Sequence, residues 1–119
     1  MSLFRTRLLR AFLMSWPTAS RAIGLREVRD VLAGTLELDD AIADFTKAID
    51  MEPSYARGYY NRGLIYLMAN RLDEALADFN KAIELEPNFA KSYYNRGAVY
   101  TEKKDFDSAG RDYDKAIEL

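Results

Sequence analysis

Nearly the same segment occurs three times in this chain, at a constant spacing of 34 residues. FTKAIDMEPS at 45–54 is followed by FNKAIELEPN at 79–88 and by YDKAIEL at 113–119. Residues 55–85 agree with 89–119 at 15 of 31 positions, and 38–54 agree with 72–88 at 11 of 17. Residues 21–37 and 55–71 agree at only two of 17 positions, so the first half of the first repeat is degenerate. A fixed period of this length predicts an array of stacked units.

Each unit is predicted to be a helical hairpin. One helix is predicted at 72–85, because its apolar residues fall at i, i+3, i+4, i+7, i+10 and i+11: Leu72, Ala75, Leu76, Phe79, Ala82 and Ile83. Pro87 ends this helix, and residues 56–69 form another with apolar stripes on two sides. The turn between them is ANR at 69–71, where Asn70 can adopt a left-handed or a capping conformation. The last helix is expected at about 106–119, with these residues inward: Phe106, Ala109, Tyr113, Ala116 and Ile117.

Small residues predict where the helices touch. Gly63, Ala75 and Ala82 would let two backbones approach closely, while Tyr66 and Phe79 fill the space beside them. A single hairpin cannot bury both apolar stripes of its first helix. The next hairpin must therefore cover the second stripe, and repetition of the unit builds the core.

A unit of 34 residues with this pattern resembles the tetratricopeptide repeat. The positions that carry the resemblance are Tyr59, Gly63, Tyr66, Ala75, Phe79, Ala82 and Pro87, repeated as Tyr93, Gly97, Tyr100, Ala109, Tyr113 and Ala116. The resemblance implies an all-α fold, a right-handed superhelical stack of antiparallel helical hairpins. The expected segments are an N-terminal extension at 1–20, a degenerate first repeat at 21–54, a second repeat at 55–88, and a third at 89–119 that lacks a C-terminal capping helix.

The composition excludes several classes of function. The chain has no cysteine and no histidine, which removes disulfides, thiol nucleophiles and thiolate or imidazole metal ligands. We therefore expect no enzyme activity, no metal and no cofactor. Residues 1–26 carry five arginines and no acid, whereas residues 27–119 have a net charge of −7. A nucleic-acid-binding surface needs a basic face, so no nucleic-acid partner is expected for the body of the chain. No stretch approaches the ~18–20 apolar residues of a membrane helix, so a membrane partner is not expected.

In the tetratricopeptide repeat family, the first helices of successive repeats line a concave groove that holds a peptide or a partner's helix. The resemblance implies the same function here, with these groove residues: Arg57, Tyr60, Asn61, Leu64, Leu67, Met68, Lys91, Tyr94, Asn95, Ala98 and Thr101. We expect them to lie apart from the core. Two Tyr-Asn pairs, each preceded by a cation, would offer phenol, amide and positive charge to a peptide backbone or carboxylate. The alternative for Asn61 and Asn95 is that they bridge adjacent helices.

Some relatives hold the acidic C-terminus of a chaperone in a carboxylate clamp, which this sequence matches only in part. Asn61 and Lys91 fit the clamp, and Arg26 could stand for its first cation. Asp30 replaces an asparagine and Asn95 replaces an arginine, and an aspartate would repel an incoming carboxylate. The leucines and the methionine of the groove instead favour an apolar peptide or an amphipathic helix.

The first 24 residues, MSLFRTRLLRAFLMSWPTASRAIG, are acid-free, rich in arginine and amphipathic. They resemble a mitochondrial presequence, and less well a secretory signal. The preferred interpretation is nevertheless a helix that covers the N-terminal end of the array, and attachment to a membrane surface is a weaker alternative. Pro17 is expected to separate a helix at about 3–15 from one at about 19–33, which would be the first helix of repeat one.

Arg29 lies in this predicted helix at the position that Gly63 and Gly97 occupy in the other repeats. An arginine does not fit where two backbones approach closely. We therefore expect either a splayed helix pair or an Arg29 side chain that reaches solvent along its methylene stem.

The sequence thus predicts a protein-interaction module, an adaptor or assembly scaffold that binds a protein or peptide. The rival prediction is a self-associating structural module, in which groove or end faces pair with another copy. Its form would be a homo-oligomer joined through the exposed terminal helix. We expect a cytoplasmic protein, or a mitochondrial one if the arginine-rich segment is a presequence.

Overall fold

The computed structural model describes residues 26–119, and their side chains from residue 33 onward. These residues form five α-helices: α1 Arg26–Met51, α2 Ala56–Met68, α3 Leu72–Leu85, α4 Ala90–Glu102 and α5 Phe106–Glu118. Residues 41–119 make up one compact unit. Within this unit, α2 pairs with α3 and α4 pairs with α5, and the two hairpins stack through α3 and α4. The described part of the chain is therefore all-α, as predicted. No helix within residues 26–119 combines the length and apolar character that crossing a membrane requires.

Both hairpins reverse direction through one residue with a left-handed backbone. Asn70 has φ 58° and Lys104 has φ 63°. The residue after each then donates its N–H back into the preceding helix, from Arg71 to the Tyr66 carbonyl at 2.8 Å and from Asp105 to the Tyr100 carbonyl at 2.9 Å. These bonds satisfy carbonyls that have no partner at a helix C-terminus. Of the two roles expected for Asn70, a left-handed or a capping conformation, the left-handed one is present.

The core lies where the first hairpin meets the second. Ala75, Phe79 and Val99 are fully buried and pack together, so α3 and α4 share one apolar cluster. The two glycines of the repeat lie against aromatic rings. A Cβ on Gly63 would come within 2.9 Å of the Phe79 ring, and one on Gly97 within 2.8 Å of the Tyr113 ring. The close approach predicted from the small residues is present in both hairpins.

A buried ion pair joins the two helices of each hairpin, and sequence reasoning did not predict it. The Arg62 guanidinium donates two hydrogen bonds to the Asp78 carboxylate, at 2.7 and 2.8 Å. Its third nitrogen donates to Thr46 of α1 at 3.1 Å, so one side chain connects three helices. The same arrangement recurs in the next repeat with Arg96, Asp112 and Asn80. Hydrogen bonding to the aspartate raises the pKa of both arginines.

The hairpin expected within 21–54 is not found in the described residues, where one uninterrupted helix runs from Arg26 to Met51. The turn position supplies the reason. Leu36 stands 34 residues before Asn70, and a left-handed conformation costs a residue such as leucine ~1–2 kcal/mol. The prediction of a separate helix at 19–33 is therefore wrong for residues 26–33. The N-terminal extension, Pro17 and the Arg29 side chain lie outside the described part of the chain.

The last helix, α5, begins and ends close to the predicted bounds, but two of its apolar residues were assigned to the wrong side. Ala109 is buried and Tyr113 is half-buried, as predicted. Phe106 and Ile117 are instead 66% and 83% exposed. They occupy the positions of Leu72 and Ile83, which are half-buried in the preceding repeat, and Leu72 packs against the cluster that contains Val99 of α4. In α5 these positions face away from α4 and have no covering helix among residues 26–119.

Candidate protein-binding face

The first helices of the two hairpins, α2 and α4, are joined by a side-chain hydrogen bond. Asn95 of α4 donates through its amide nitrogen to the Tyr60 hydroxyl of α2 at 3.1 Å. The same nitrogen donates to the Lys91 carbonyl at 2.9 Å, so both of its hydrogens are used. Asn95 therefore bridges adjacent helices, which was the alternative to a ligand contact, and only its carbonyl oxygen remains available.

Tyr60 is the centre of an aromatic cluster beneath this bridge. Its ring lies 6.0 Å from that of Phe79 and 5.0 Å from that of Phe89, the latter edge to face. The pKa of the Tyr60 hydroxyl is raised, because burial outweighs the hydrogen bond from Asn95 and the charge of Arg57, which both lower it. The hydroxyl accepts from Asn95 and finds no acceptor for its own hydrogen in the described part of the chain. It can therefore donate one hydrogen bond to a ligand.

The first predicted cation of the groove, Arg57, is engaged within the protein. Its guanidinium carbon stacks 3.9 Å from the centre of the Phe89 ring, and its Nε lies 3.4 Å from a Glu86 oxygen. Both partners belong to the loop between α3 and α4. Lys91, the equivalent residue of the next repeat, is exposed and has no ion pair among residues 26–119. Lys91 is thus the positive charge that this region offers to a ligand.

The apolar groove residues divide into two groups. Leu64 and Leu67 are half-buried and pack against the core cluster of Ala75, Phe79 and Val99. The expectation that groove residues lie apart from the core is therefore wrong for these two leucines and for Tyr60, which packs against the same cluster, because α2 contributes to both the groove and the core. Met68 and Tyr94 are 69% and 59% exposed, and they supply the accessible apolar surface.

The remaining predicted groove residues are Asn61, Ala98 and Thr101. Asn61 and Ala98 are half-buried, and Asn61 makes no side-chain hydrogen bond within the described residues. The Thr101 hydroxyl donates to the Gly97 carbonyl at 3.0 Å and lies 3.1 Å from the Tyr113 hydroxyl. Thr101 therefore links α4 to α5.

Five accessible residues follow the helical spacing on one side of α2 and of α4. They are Tyr60, Asn61, Met68, Lys91 and Tyr94, and we call their surface the α2–α4 face. It combines the hydroxyl hydrogens of Tyr60 and Tyr94, one amide, one ammonium group and two exposed, largely apolar side chains, Met68 and Tyr94. Such a surface suits an apolar segment with a few backbone or polar contacts.

The elements of a carboxylate clamp are only partly present. Asn61 and Lys91 are accessible, but Asn95 is occupied by Tyr60 and Lys91. The side chains of Arg26 and Asp30 lie outside those that the structure describes. Among the side chains that the structure describes, this face therefore supplies one free cation for a carboxylate rather than a cluster of cations.

Sequence reasoning missed Phe89, which packs between Arg57 and Tyr60 and fixes both of them. A signal was present. An aromatic residue follows each EPS or EPN segment directly, at Tyr55 and at Phe89. Tyr55 is the N-cap of α2 and Phe89 is the N-cap of α4. Phe89 also contacts α2, the first helix of the preceding hairpin.

Comparison with protein families gives matches over most of the chain. The family described as "Tetratricopeptide repeat" matches residues 56–89 and 90–119, and a "TPR repeat" family matches residues 37–70. No curated protein matches the sequence significantly.

Solved structures show the same fold. A crystal structure of MamA is 33% identical, with a TM-score of 0.67 over 69% of this chain. The match spans 48% of that chain, so it covers about half of the MamA length. The first TPR of Spaghetti (RPAP3) bound to the HSP90 peptide SRMEEVD is 29% identical, with a TM-score of 0.68 over 69% of this chain and 65% of that one. YrrB, described as a TPR protein with an unusual peptide-binding site, is 27% identical, with a TM-score of 0.66 over 71% of this chain and 46% of that one.

Proposed function

Because the chain belongs to the tetratricopeptide repeat family, we infer that it is a protein-interaction module whose partner is a protein or peptide. We propose that the α2–α4 face holds this partner, as an apolar peptide or one side of an amphipathic helix. The observation that carries the proposal is Tyr94, 59% exposed on the same side as the free Tyr60 hydroxyl hydrogen. Peptide binding in the RPAP3 structures supports a peptide ligand, but the single free cation here favours an apolar segment over an acidic one.

The ligand class can be tested with a phage-displayed library of 15-residue peptides and with SRMEEVD as the acidic probe. We expect the library to yield peptides with two or more large apolar residues at helical spacing. We expect SRMEEVD to bind at least tenfold more weakly than the selected peptides, because Lys91 is its one accessible cation on this face. Tighter binding of SRMEEVD would contradict the apolar ligand and favour a clamp.

The location of the site can be tested with two matched pairs of variants. Tyr94→Ala and Met68→Ser remove exposed apolar groups from the α2–α4 face. Tyr55→Ala and Met51→Ser remove groups of the same kind that are 53% and 87% exposed elsewhere. Truncation of an anchor residue often costs ~1–2 kcal/mol of binding, which is roughly a tenfold change in Kd. Equal weakening by both pairs would place the peptide elsewhere.

Self-association is a second candidate function. The exposure of Phe106 and Ile117 on α5 favours it, whereas the carboxylates of Asp107 and Asp114 beside them oppose a symmetric pair. Light scattering can test this candidate. A mass that doubles with increasing protein concentration would support it if the Ile117→Ser variant keeps the monomer mass. A monomeric mass over the whole concentration series would contradict it.

We propose no catalytic role for the chain. The cytoplasmic location and its mitochondrial alternative depend on residues 1–20 and stay predictions. Import of a fluorescent protein fused to residues 1–24 into isolated mitochondria would decide between them.

A further inference from the structure

The outward side of α5 combines exposed apolar residues with acidic ones. Phe106, Asp107, Gly110, Asp114 and Ile117 lie within about 100° of each other on the helix, and we call their surface the α5 outer face. Phe106 is 66% exposed and Ile117 is 83% exposed. Asp107 and Asp114 are exposed and make no ion pair with any residue of 26–119.

The corresponding face of α3 shows what such a surface binds. Its residues at the same positions are Leu72, Asp73, Leu76, Asn80 and Ile83, and α4 lies against them. Leu72 and Leu76 pack against the cluster that contains Val99 of α4. Two polar contacts border this apolar contact.

Both polar contacts use a cation of α4. The Lys103 ammonium, at the C-cap of α4, lies 2.6 Å from an Asp73 oxygen, and the Arg96 guanidinium donates to the side-chain oxygen Oδ1 of Asn80 at 2.9 Å. Arg96 and Lys103 are seven residues apart, so they project from the same side of α4, two turns apart. A helix therefore docks here through an apolar stripe and two cations at i and i+7.

The α5 outer face differs from the α3 face at two positions, and each difference has a consequence. Asp114 stands where α3 has Asn80, so an amide becomes a carboxylate and the attraction for a cation increases. Gly110 stands where α3 has Leu76, and nothing lies within 4 Å of the position its Cβ would occupy. The space left by the missing leucine can take a larger side chain from a docked helix.

We propose that the α5 outer face binds an amphipathic helix of a partner protein that carries two basic residues seven positions apart. The cations of this helix pair with Asp107 and Asp114, and its apolar stripe covers Phe106 and Ile117. A bulky apolar residue of the partner fills the open space beside Gly110. This surface is separate from the α2–α4 face, and its ligand is basic.

The charges of the face argue against a second copy as its occupant. In a two-fold symmetric pair of antiparallel α5 helices, every contact occurs twice. If Phe106 lies opposite Ile117 of the other copy, then Asp107 of each copy lies near Asp114 of the other, because both flank the apolar stripe on the same side. Like charges at such an interface repel each other and disfavour the pair.

The test uses a fluorescent peptide with the sequence of residues 90–104 and the change Val99→Leu, which supplies both cations and a larger central residue. Its binding to the full chain is followed by fluorescence anisotropy. We expect Asp114→Asn to weaken binding about two- to fivefold, as for an exposed ion pair, and Ile117→Ser to weaken it about tenfold, as for a truncated anchor. Higher salt should also weaken binding. The matched control variants, Asp50→Asn and Met51→Ser, alter exposed residues of α1 and should leave binding unchanged.

Three results would overturn the proposal. The first is equal binding of a peptide that carries Arg96→Glu and Lys103→Glu. The second is binding that Tyr94→Ala abolishes and Ile117→Ser does not, because the peptide would then lie on the α2–α4 face. The third is a concentration-dependent dimer of the chain alone that Ile117→Ser dissolves, because the occupant would then be a second copy.

Discussion

Three of the four helical glycines in the two hairpins, Gly63, Gly97 and Gly110, have different surroundings, and their substitution by alanine should have different effects. A Cβ on Gly63 would come within 2.9 Å of Phe79, which is fully buried and cannot move away. We expect Gly63→Ala to lower the free energy of unfolding by ~1–3 kcal/mol through overpacking. Gly97→Ala should cost less, because Tyr113 is only half-buried and its ring can shift. Gly110→Ala meets no atom within 4 Å and should stabilise α5 by ~0.5–1 kcal/mol.

Urea unfolding of the three variants checks this order, provided that the m-value stays constant. A Gly63→Ala protein as stable as the wild type would contradict the close approach of α2 and α3.

Ser92 carries a buried hydroxyl group that should lower the stability of the protein. Its hydroxyl is fully buried at the start of α4 and has no hydrogen-bond partner within residues 26–119. A buried polar group without a partner costs ~1–3 kcal/mol. We expect Ser92→Ala, which removes the hydroxyl and little volume, to raise the free energy of unfolding by ~1 kcal/mol. A loss of stability in thermal unfolding would mean that the hydroxyl does have a partner.

At the scale of the helices, the two hairpin turns differ in how well their sequences fit the backbone. Both need a residue with positive φ, which asparagine adopts more readily than lysine. We expect Lys104→Asn to stabilise the second hairpin by ~0.5–1 kcal/mol, since the left-handed conformation costs an ordinary residue ~1–2 kcal/mol. Asn70→Lys is the matched reverse change and should lower the melting temperature. If both variants have the melting temperature of the wild type, the turns do not limit stability.

The ion pair between the helices of each hairpin should be costly to break. The Arg62 and Asp78 side chains are 19% and 6% exposed, so each charge depends on the other for its interactions. Removing one partner of a buried pair typically costs ~3–5 kcal/mol. Because Arg62 is partly exposed, we expect Asp78→Asn to lie near the lower limit. A double-mutant cycle with Arg62→Met should show a strong coupling, and additive effects would contradict the pairing.

The sequence predicted α2, α3 and α5 with bounds close to those observed, and it placed α4 within the third repeat. Local signals mark the first hairpin, and the repeat pattern extends it to the second, whose turn at Lys104 has no typical turn residue. Asn70 permits the turn, and Pro87 ends α3. The uninterrupted α1 was not predicted, because the hairpin was extended to a segment that shares only two of 17 residues with the next repeat. Leu36 indicates the absence of a turn, because it occupies the turn position and leucine does not favour a turn.

The candidate site was predicted less completely than the helices. The groove positions followed from the repeat pattern, but the state of each residue depends on neighbours in the next unit. Arg57 is held by Glu86 and Phe89, and Asn95 is held by Tyr60. These partners lie 29 to 35 residues away in the chain, beyond the reach of a helical periodicity.

At the scale of the whole molecule, repetition of one unit produces two surfaces with different chemistry. The α2–α4 face carries aromatic and apolar groups, the hydroxyl hydrogens of Tyr60 and Tyr94 and one ammonium group. The α5 outer face carries apolar groups beside two carboxylates. A module with both could hold an apolar segment of one partner and a basic helix of another, and each site could be removed without altering the other.

The most direct test of the binding function is to map a selected peptide onto the chain by NMR. The peptide recovered from the display library is added to isotope-labelled protein, and the backbone amide shifts are followed. We expect the largest changes at Tyr60, Asn61, Lys91 and Tyr94, with little change at Phe106 and Ile117. Changes confined to α5, or spread over residues outside α2 and α4, would contradict the claim that the α2–α4 face is the binding site.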